Sequence, residues 1–202
     1  MKQIFTVQHT QSEHHVNGMV GSWTDWNLTE LGKQQADRIA EKLRQELNGK
    51  EFVLYTSDLK RARQTADSIA DLLQVVPVEK AELRERNLGK CCGKSVQWLR
   101  ENLECDEKTI DDRLFSDAES RRDVWNRLRP FFDRMIADDS ETVVIVSHGD
   151  LLSVFNAMFL GLDVESLNTS EMFGFAGGVS QMIVRNDGKH IIKRLSDMSF
   201  AK

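Results

Sequence analysis

The sequence predicts an α/β fold with a mostly parallel sheet that carries an antiparallel hairpin near its C-terminal end. Three observations predict it. The chain opens strand–helix–strand, and strands joined through a helical crossover run parallel. Residues 142–146 read Thr-Val-Val-Ile-Val, a β-branched run of the kind buried on both faces of a parallel sheet. Near the C-terminus two β-prone runs, 179–184 and 189–194, flank Asn186-Asp187-Gly188. Asp-Gly between such runs is a strong hairpin signal, and an antiparallel hairpin is allowed on an otherwise parallel sheet.

The elements follow in order. Residues 2–7 are apolar and β-prone and end in the polar Gln8-His9-Thr10-Gln11-Ser12. The stretch 8–26 reads as a long loop holding His9, His14, His15, Trp23 and Asp25, and loops of that length are often functional. A helix is expected over 29–48: Thr29 suits its N-cap, Ala36, Ile39, Ala40, Leu43 and Leu47 share one face, and Gly49 follows its end. A strand over 51–56 leads into a second helix over 59–73. Residues 75–78 are a short strand candidate, 81–93 a charged loop, and 95–103 a short helix bearing Trp98 and Leu99. The acidic, weakly periodic 106–118 reads as an exposed connection. Residues 120–137 form an amphipathic helix that Pro130 is expected to bend or locally break. The strand 142–146 ends in Ser147-His148-Gly149-Asp150 and becomes a helix over 150–160; 168–177 is a loop with Phe173 and Phe175. No repeat, low-complexity segment or linker interrupts the chain.

Bulk properties narrow the function. With 202 residues, 40% hydrophobic and 29% charged, the chain has the make-up of one globular domain able to bury a core without disulfides. A formal net charge of −5 argues against general affinity for nucleic acid or an anionic membrane, yet allows a local cationic pocket. Three cysteines, Cys91, Cys92 and Cys105, with no Cys-x-x-Cys, suit free thiols in a reducing cytoplasm. The first residues do not read as a signal peptide, and no apolar run is long enough to span a membrane.

Histidines close two of the predicted strands, and open α/β sheets place ligands at strand C-terminal ends. The stretch Ser57-Asp58-Leu59-Lys60-Arg61-Ala62-Arg63-Gln64-Thr65-Ala66 follows another strand. Together with Gln8-His9-Thr10-Gln11-Ser12, Leu83-Arg84-Glu85 and Ser147-His148-Gly149, it resembles the histidine phosphatase superfamily, the phosphoglycerate mutase-like proteins. That family carries Arg-His-Gly-Glu/Gln-Ser/Thr, Ser-x-Leu-x-Arg-Ala-x-Gln-Thr-Ala, Leu-x-Glu and Ser-His-Gly in this order. The likeness spans almost the whole chain. It departs in the first motif, where Gln8 replaces an arginine and Thr10 a glycine.

The resemblance implies a three-layer α/β/α sandwich over residues 1–202, with a small cap region at about 85–120. It implies a cofactor-free phosphatase acting on a small phosphomonoester. His9 would be the nucleophile, forming a phosphohistidine, and its other ring nitrogen needs an acceptor to fix the tautomer. Arg61 would bind the phosphate through its fork of donors, at a helix start that also favours anions. His148 would donate to a phosphate oxygen, with Gly149 allowing close approach. Glu85 would protonate the leaving group and then take a proton from water, a task that favours a raised pKa; Glu82 is its local rival. Gln8, Ser12, His15 and Asn17 complete the expected phosphate contacts, His15 standing where many relatives carry an asparagine. Lys60 and Arg63 read as surface. The spacing of His9, His14 and His15 fits no helical or zinc-finger metal pattern, so no metal is expected.

Two other readings remain. A phosphoglycerate or phosphosugar mutase would use the same histidine, with phosphate passing to a second hydroxyl instead of water. An impaired relative that binds a phosphorylated ligand would explain Gln8 and Thr10, but has no need of Glu85. Specificity is expected from residues 19–26, 90–105 and 173–175. The edge of the terminal hairpin offers a surface for pairing, so a homodimer is the oligomer to look for.

Overall fold

The computed structural model describes residues 1–202. Six strands, β1 (Lys2–Gln8), β2 (Val53–Thr56), β3 (Val78–Glu79), β4 (Thr142–Ser147), β5 (Val179–Val184) and β6 (His190–Asp197), form one sheet in the order β3-β2-β4-β1-β5-β6. The first four are parallel; β5 runs antiparallel to β1, and β6 antiparallel to β5. The expected mostly parallel sheet with an antiparallel C-terminal hairpin is therefore present. The helices are α1 (His14–Asn17), α2 (Glu30–Leu47), α3 (Lys60–Leu73), α4 (Val96–Glu101), α5 (Arg121–Ala137) and α6 (Gly149–Phe159), with short 3-10 turns between them.

Side-chain alternation divides the core into two layers. Ile4, Val143, Ile145 and Met182 point to one face and pack with Leu128, Phe131, Phe155 and Phe159 of α5 and α6. Phe5, Val7, Leu54, Val144 and Val146 point to the other, against Ile39 and Leu43 of α2, Ala62, Ala66 and Ile69 of α3, and Phe200. The β-branched run of β4 is buried at every position because it serves both layers. Helix α6 is apolar nearly all round and is correspondingly buried, which marks it as a central helix. A third, smaller cluster joins Val20 of the loop after β1 to Cys91, Phe115 and Ala118 of the segment after β3.

Local chemistry sets the helix ends. The Thr29 hydroxyl accepts from Gly32 N at 3.0 Å and starts α2. Ser120 and Asp123 form a reciprocal capping box at α5. Gly32 could carry no side chain, since a Cβ there would lie 1.9 Å from the Gln11 carbonyl oxygen; this contact seats α2 against the loop after β1.

Four expectations change. The loop 8–26 contains the one-turn helix α1. Pro130 does not break α5, which is continuous over 17 residues. Residues 129 and 130 are exposed, so the ring projects into water. The third strand is Val78–Glu79 only, because residues from 75 to 77 are still leaving α3. The segment 106–118 is not simply an exposed connection: Ile110 and Phe115 are fully buried, Phe115 stacking near Trp98 at 5.8 Å between ring centroids.

The topology aligns the strand ends that matter. Inserting β4 between β1 and β2 puts Gln8 level with Ser147 and Thr56 level with Val146. The residues that follow, His9, His148 and Ser57, therefore emerge together at the C-terminal edge, where the order of connections reverses.

Candidate active site

His9 is buried, and its ring is fixed at both nitrogens. Nδ1 lies 2.9 Å from the Thr10 carbonyl oxygen, and Arg61 Nε lies 3.0 Å from Nε2. A carbonyl only accepts and a guanidinium N–H only donates. The proton of the neutral ring thus sits on Nδ1 and the lone pair on Nε2. Burial first, and then the Arg61 cation, hold the His9 pKa well below its ordinary value, so the ring stays neutral.

Arg61 projects from the first turn of α3 and is buried. Its Nη1 donates to the Thr24 carbonyl at 2.9 Å and its Nη2 to the Ser22 carbonyl at 2.9 Å. Ser22 takes a left-handed backbone (φ 50°) that presents this carbonyl, a costly conformation for a residue with a Cβ. Burial pushes the guanidinium pKa down to about 10, which leaves it charged at neutral pH.

His148 follows β4, 5.1 Å from His9 between ring centroids. Its Nε2 is 2.8 Å from Ser57 Oγ, while its Nδ1 is a buried polar atom without a partner. Burial, with Arg61 and His9 nearby, also keeps this ring neutral. Gly149 opens α6, and a Cβ there would meet the Phe173 ring at 3.2 Å and the Gln8 amide nitrogen at 3.3 Å.

Glu85 lies against the N-terminus of α6. Its carboxyl group accepts from Arg86 N at 3.0 Å, Leu151 N at 3.1 Å and Asp150 N at 3.4 Å. Its backbone carbonyl accepts from the Trp23 indole at 2.6 Å and Arg127 Nη2 at 3.2 Å. Burial, then the nearby Asp150 carboxylate, raise its pKa to about 7, against the pull of the backbone donors and Arg61. Glu82, the rival, pairs instead with Arg134 of α5 at 3.3 Å.

The remaining expected residues divide. Ser12 is buried, its Oγ 2.5 Å from His14 Nδ1 and its N–H donating to His15 Nδ1 at 3.1 Å. His15 stacks 5.4 Å from His9 between centroids. Because its Nδ1 accepts, its neutral ring carries the proton on Nε2 and can donate from there. Gln8 is buried with its amide between Gly149 and Gly174. Asn17 is exposed, and its side-chain oxygen accepts from Met19 N at 2.9 Å, which occupies it in a local turn. Thr10 fits where a glycine was expected: its N–H donates to Thr65 Oγ1 at 3.2 Å and the two hydroxyls are 3.3 Å apart. Arg63 pairs with Glu79 at the surface.

Three ring nitrogens, one each from His9, His14 and His15, lie within 4.8 Å of one another. Two bonds oppose a metal among them. Arg61 aims a cation at the His9 lone pair, and the Ser12 N–H fixes the His15 proton on Nε2. Residues not singled out from sequence include Ser57 and Asp150. Ser57 opens the second motif and Asp150 follows the last one, but neither has a role from sequence, and their partners are 91 and 65 positions away in the chain.

The histidine phosphatase superfamily (branch 1) family model matches residues 4–197. The chain is 29% identical over 182 residues to a 2,3-bisphosphoglycerate-dependent phosphoglycerate mutase of Bartonella henselae, covering 85% of this chain and 87% of that protein. It is 27% identical over 202 residues to phosphoserine phosphatase 1 of Hydrogenobacter thermophilus, covering 97% and 92%. Among solved structures, a mycobacterial glucosyl-3-phosphoglycerate phosphatase in complex with VO3 superposes with a TM-score of 0.83 at 23% identity, covering 98% of this chain and 100% of that one. At that identity the likeness concerns the fold.

Proposed function

The chain belongs to the histidine phosphatase superfamily, a family of phosphatases and mutases, and from that premise we propose that it hydrolyses a small phosphomonoester through a phosphohistidine on His9. The observation that carries this reading is the neutral His9 ring with its lone pair on Nε2, beside the Arg61 cation.

The His9 Nε2 lone pair attacks phosphorus in line. Arg61 releases its hydrogen bond to Nε2 and donates that N–H to the phosphoryl oxygens instead, where negative charge grows. The bond from phosphorus to the ester oxygen breaks, and Glu85 passes its proton to that oxygen, releasing the alcohol. Water then attacks phosphohistidine and gives a proton to Glu85. The P–N bond breaks, phosphate leaves, and Nδ1 keeps its hydrogen bond to Thr10 throughout. A Glu85 pKa of about 7 suits a group that must give and take a proton near neutrality. His148, with an unpartnered ring nitrogen, and His15, with its proton on Nε2, supply further donors to the phosphate. Ser12 orients His14 and His15, Gln8 offers an uncharged amide, and Gly149 keeps the approach open.

The site sits in one domain of residues 1–202, with residues 85–120 as a cap over it; the separate cluster around Phe115 supports that division. The three cysteines are free, which supports a reducing, cytoplasmic setting. No helix is long and apolar enough to cross a membrane. The mutase among the relatives keeps a second reading open, in which a second hydroxyl takes the place of water.

The test is turnover of p-nitrophenyl phosphate without added metal across pH 5–8, beside His9→Ala. Turnover lost in the variant supports the reading. Equal turnover in both proteins removes it. Transfer of phosphate to an added alcohol in preference to water would favour the mutase.

A further inference from the structure

Glu85 and Asp150 both stand at the N-terminus of α6: the Asp150 N–H is 3.4 Å from Glu85 Oε2. We infer that Asp150, held by Arg86, is a positioning residue that keeps the proton on Glu85, and that Glu107 fixes Arg86 for this task. The inference rests on the reading of Glu85 as proton donor.

Arg86 joins the two residues, since its backbone N–H donates to Glu85 Oε1 at 3.0 Å while its side chain reaches Asp150, and the nearby Asp150 carboxylate disfavours a second negative charge on buried Glu85. Asp150 has a cation of its own, because its Oδ2 lies 3.3 Å from Arg86 Nε. The contact is one of charge only, since Arg86 Nε has no hydrogen-bond partner. The Arg86 fork is taken by Glu107, with Nη1 at 2.6 Å and Nη2 at 3.2 Å from its two oxygens. Arg86 therefore holds the Asp150 carboxylate in place while its own charge is taken up largely by Glu107. Glu85 receives only backbone N–H groups at its carboxyl and has no cation bonded to it, so the buried group beside Asp150 keeps its proton.

The other charges around Glu85 do not reverse this. From α3, Arg61 opposes the proton, but its three donors are directed at His9, Thr24 and Ser22. From α5, Arg127 binds the Glu85 carbonyl and is paired with Glu119. In the same loop, Arg84 is held by both oxygens of Asp58. The linkage also has a route to the nucleophile: the Arg86 carbonyl accepts from Ser22 Oγ, and the Ser22 carbonyl accepts from Arg61.

The experiment compares the pH dependence of kcat/KM for wild type, Asp150→Asn and Asp150→Ser. Serine is a second small polar replacement and guards against misfolding of one variant. The Glu85 carboxyl is followed in parallel by 13C NMR, its signal assigned through Glu85→Gln. In both variants the alkaline limb and the carboxyl titration should move together to lower pH by about one unit, so that at pH 8 kcat/KM falls about tenfold further below its own plateau. The position of the limb does not depend on how much of the plateau survives. A limb and a titration that both stay in place overturn the inference. A titration that moves while Glu85→Gln retains full turnover supports the coupling and removes the proton-donor reading instead.

Discussion

Replacing Gln8 with arginine tests whether the site is weakened by the loss of a charge. Gln8 sits on β1 just before the nucleophile, with its amide nitrogen 3.3 Å from the point where a Gly149 Cβ would lie and its oxygen 3.3 Å from the same point on Gly174. Arginine carries its donors further along the same path, toward the start of α6. A charge-assisted hydrogen bond to phosphate is worth about 1.5–3 kcal/mol, or roughly ten- to 150-fold in kcat/KM. Two structural costs reduce that gain. A second guanidinium would lie near Arg61, whose own pKa burial has already pushed down to about 10. Phe173, which touches Gly149, must also give way, and being 56% exposed it can do so cheaply. The expected result is therefore near the lower end, about a tenfold rise in kcat/KM on p-nitrophenyl phosphate at pH 6.5. The inhibition constant of inorganic phosphate should tighten by a similar factor. A variant with the thermal midpoint of the wild type and no gain in either constant would refute the reasoning.

Three further outcomes follow from the same geometry. His15→Ala removes one neutral donor and should weaken phosphate inhibition by about two- to tenfold and flatten its dependence on pH from 5.5 to 8; unchanged kinetics over that range would remove His15 from the site. His9 and His148 are held neutral in the fold, with His14 pushed down to about 3, so below pH 6.5 the unfolded chain binds more protons than the native one. Their contribution to stability is complete above pH 6.5 and is lost as pH falls; Glu85, raised to about 7, opposes them with one proton. With His15, whose pKa burial also lowers, the net slope from pH 6.5 to 5 is at most about 4 kcal/mol per unit, and a urea midpoint that holds steady or rises over this range would contradict it. Phe115→Ala, at a fully buried position in the cluster after β3, should cost about 3–5 kcal/mol by urea unfolding, whereas a loss under 1 kcal/mol would show that this cluster adds little to stability.

Much of the fold was legible because strong local signals agreed with it. The β-branched run of β4 and the Asp-Gly turn needed no tertiary information, and the Thr29 cap lies one residue before α2. The burial in the segment around Phe115 is not legible for a physical reason: Ile110 and Phe115 fit neither period of regular structure, and Phe115 is covered by distant partners such as Val20 and Cys91 while Ile110 joins the core cluster of α5 and α6. Pro130 lies on the exposed side of α5 and does not interrupt the helix. Within the site, the motif order brought forward His9, Arg61, Glu85 and His148, and aligned strand ends bring their elements together. What sequence could not show was how each ring is held. The acceptor of His9 is a backbone carbonyl, the donors to Glu85 are backbone N–H groups of α6, and neither has a residue-type signature. Asn17 is a candidate phosphate contact through its nearness to Gln8 in sequence, and its side chain closes a turn with Met19.

The central claim is covalent, and it can be measured directly. Wild-type protein should be mixed with a phosphomonoester, quenched in base within milliseconds, digested and read by mass spectrometry, conditions under which phosphohistidine survives. The account predicts phosphate on the peptide containing His9, labile to acid, and absent in His9→Ala. Phosphate found on another residue, or steady turnover with no phosphorylated peptide at any quench time, would contradict it.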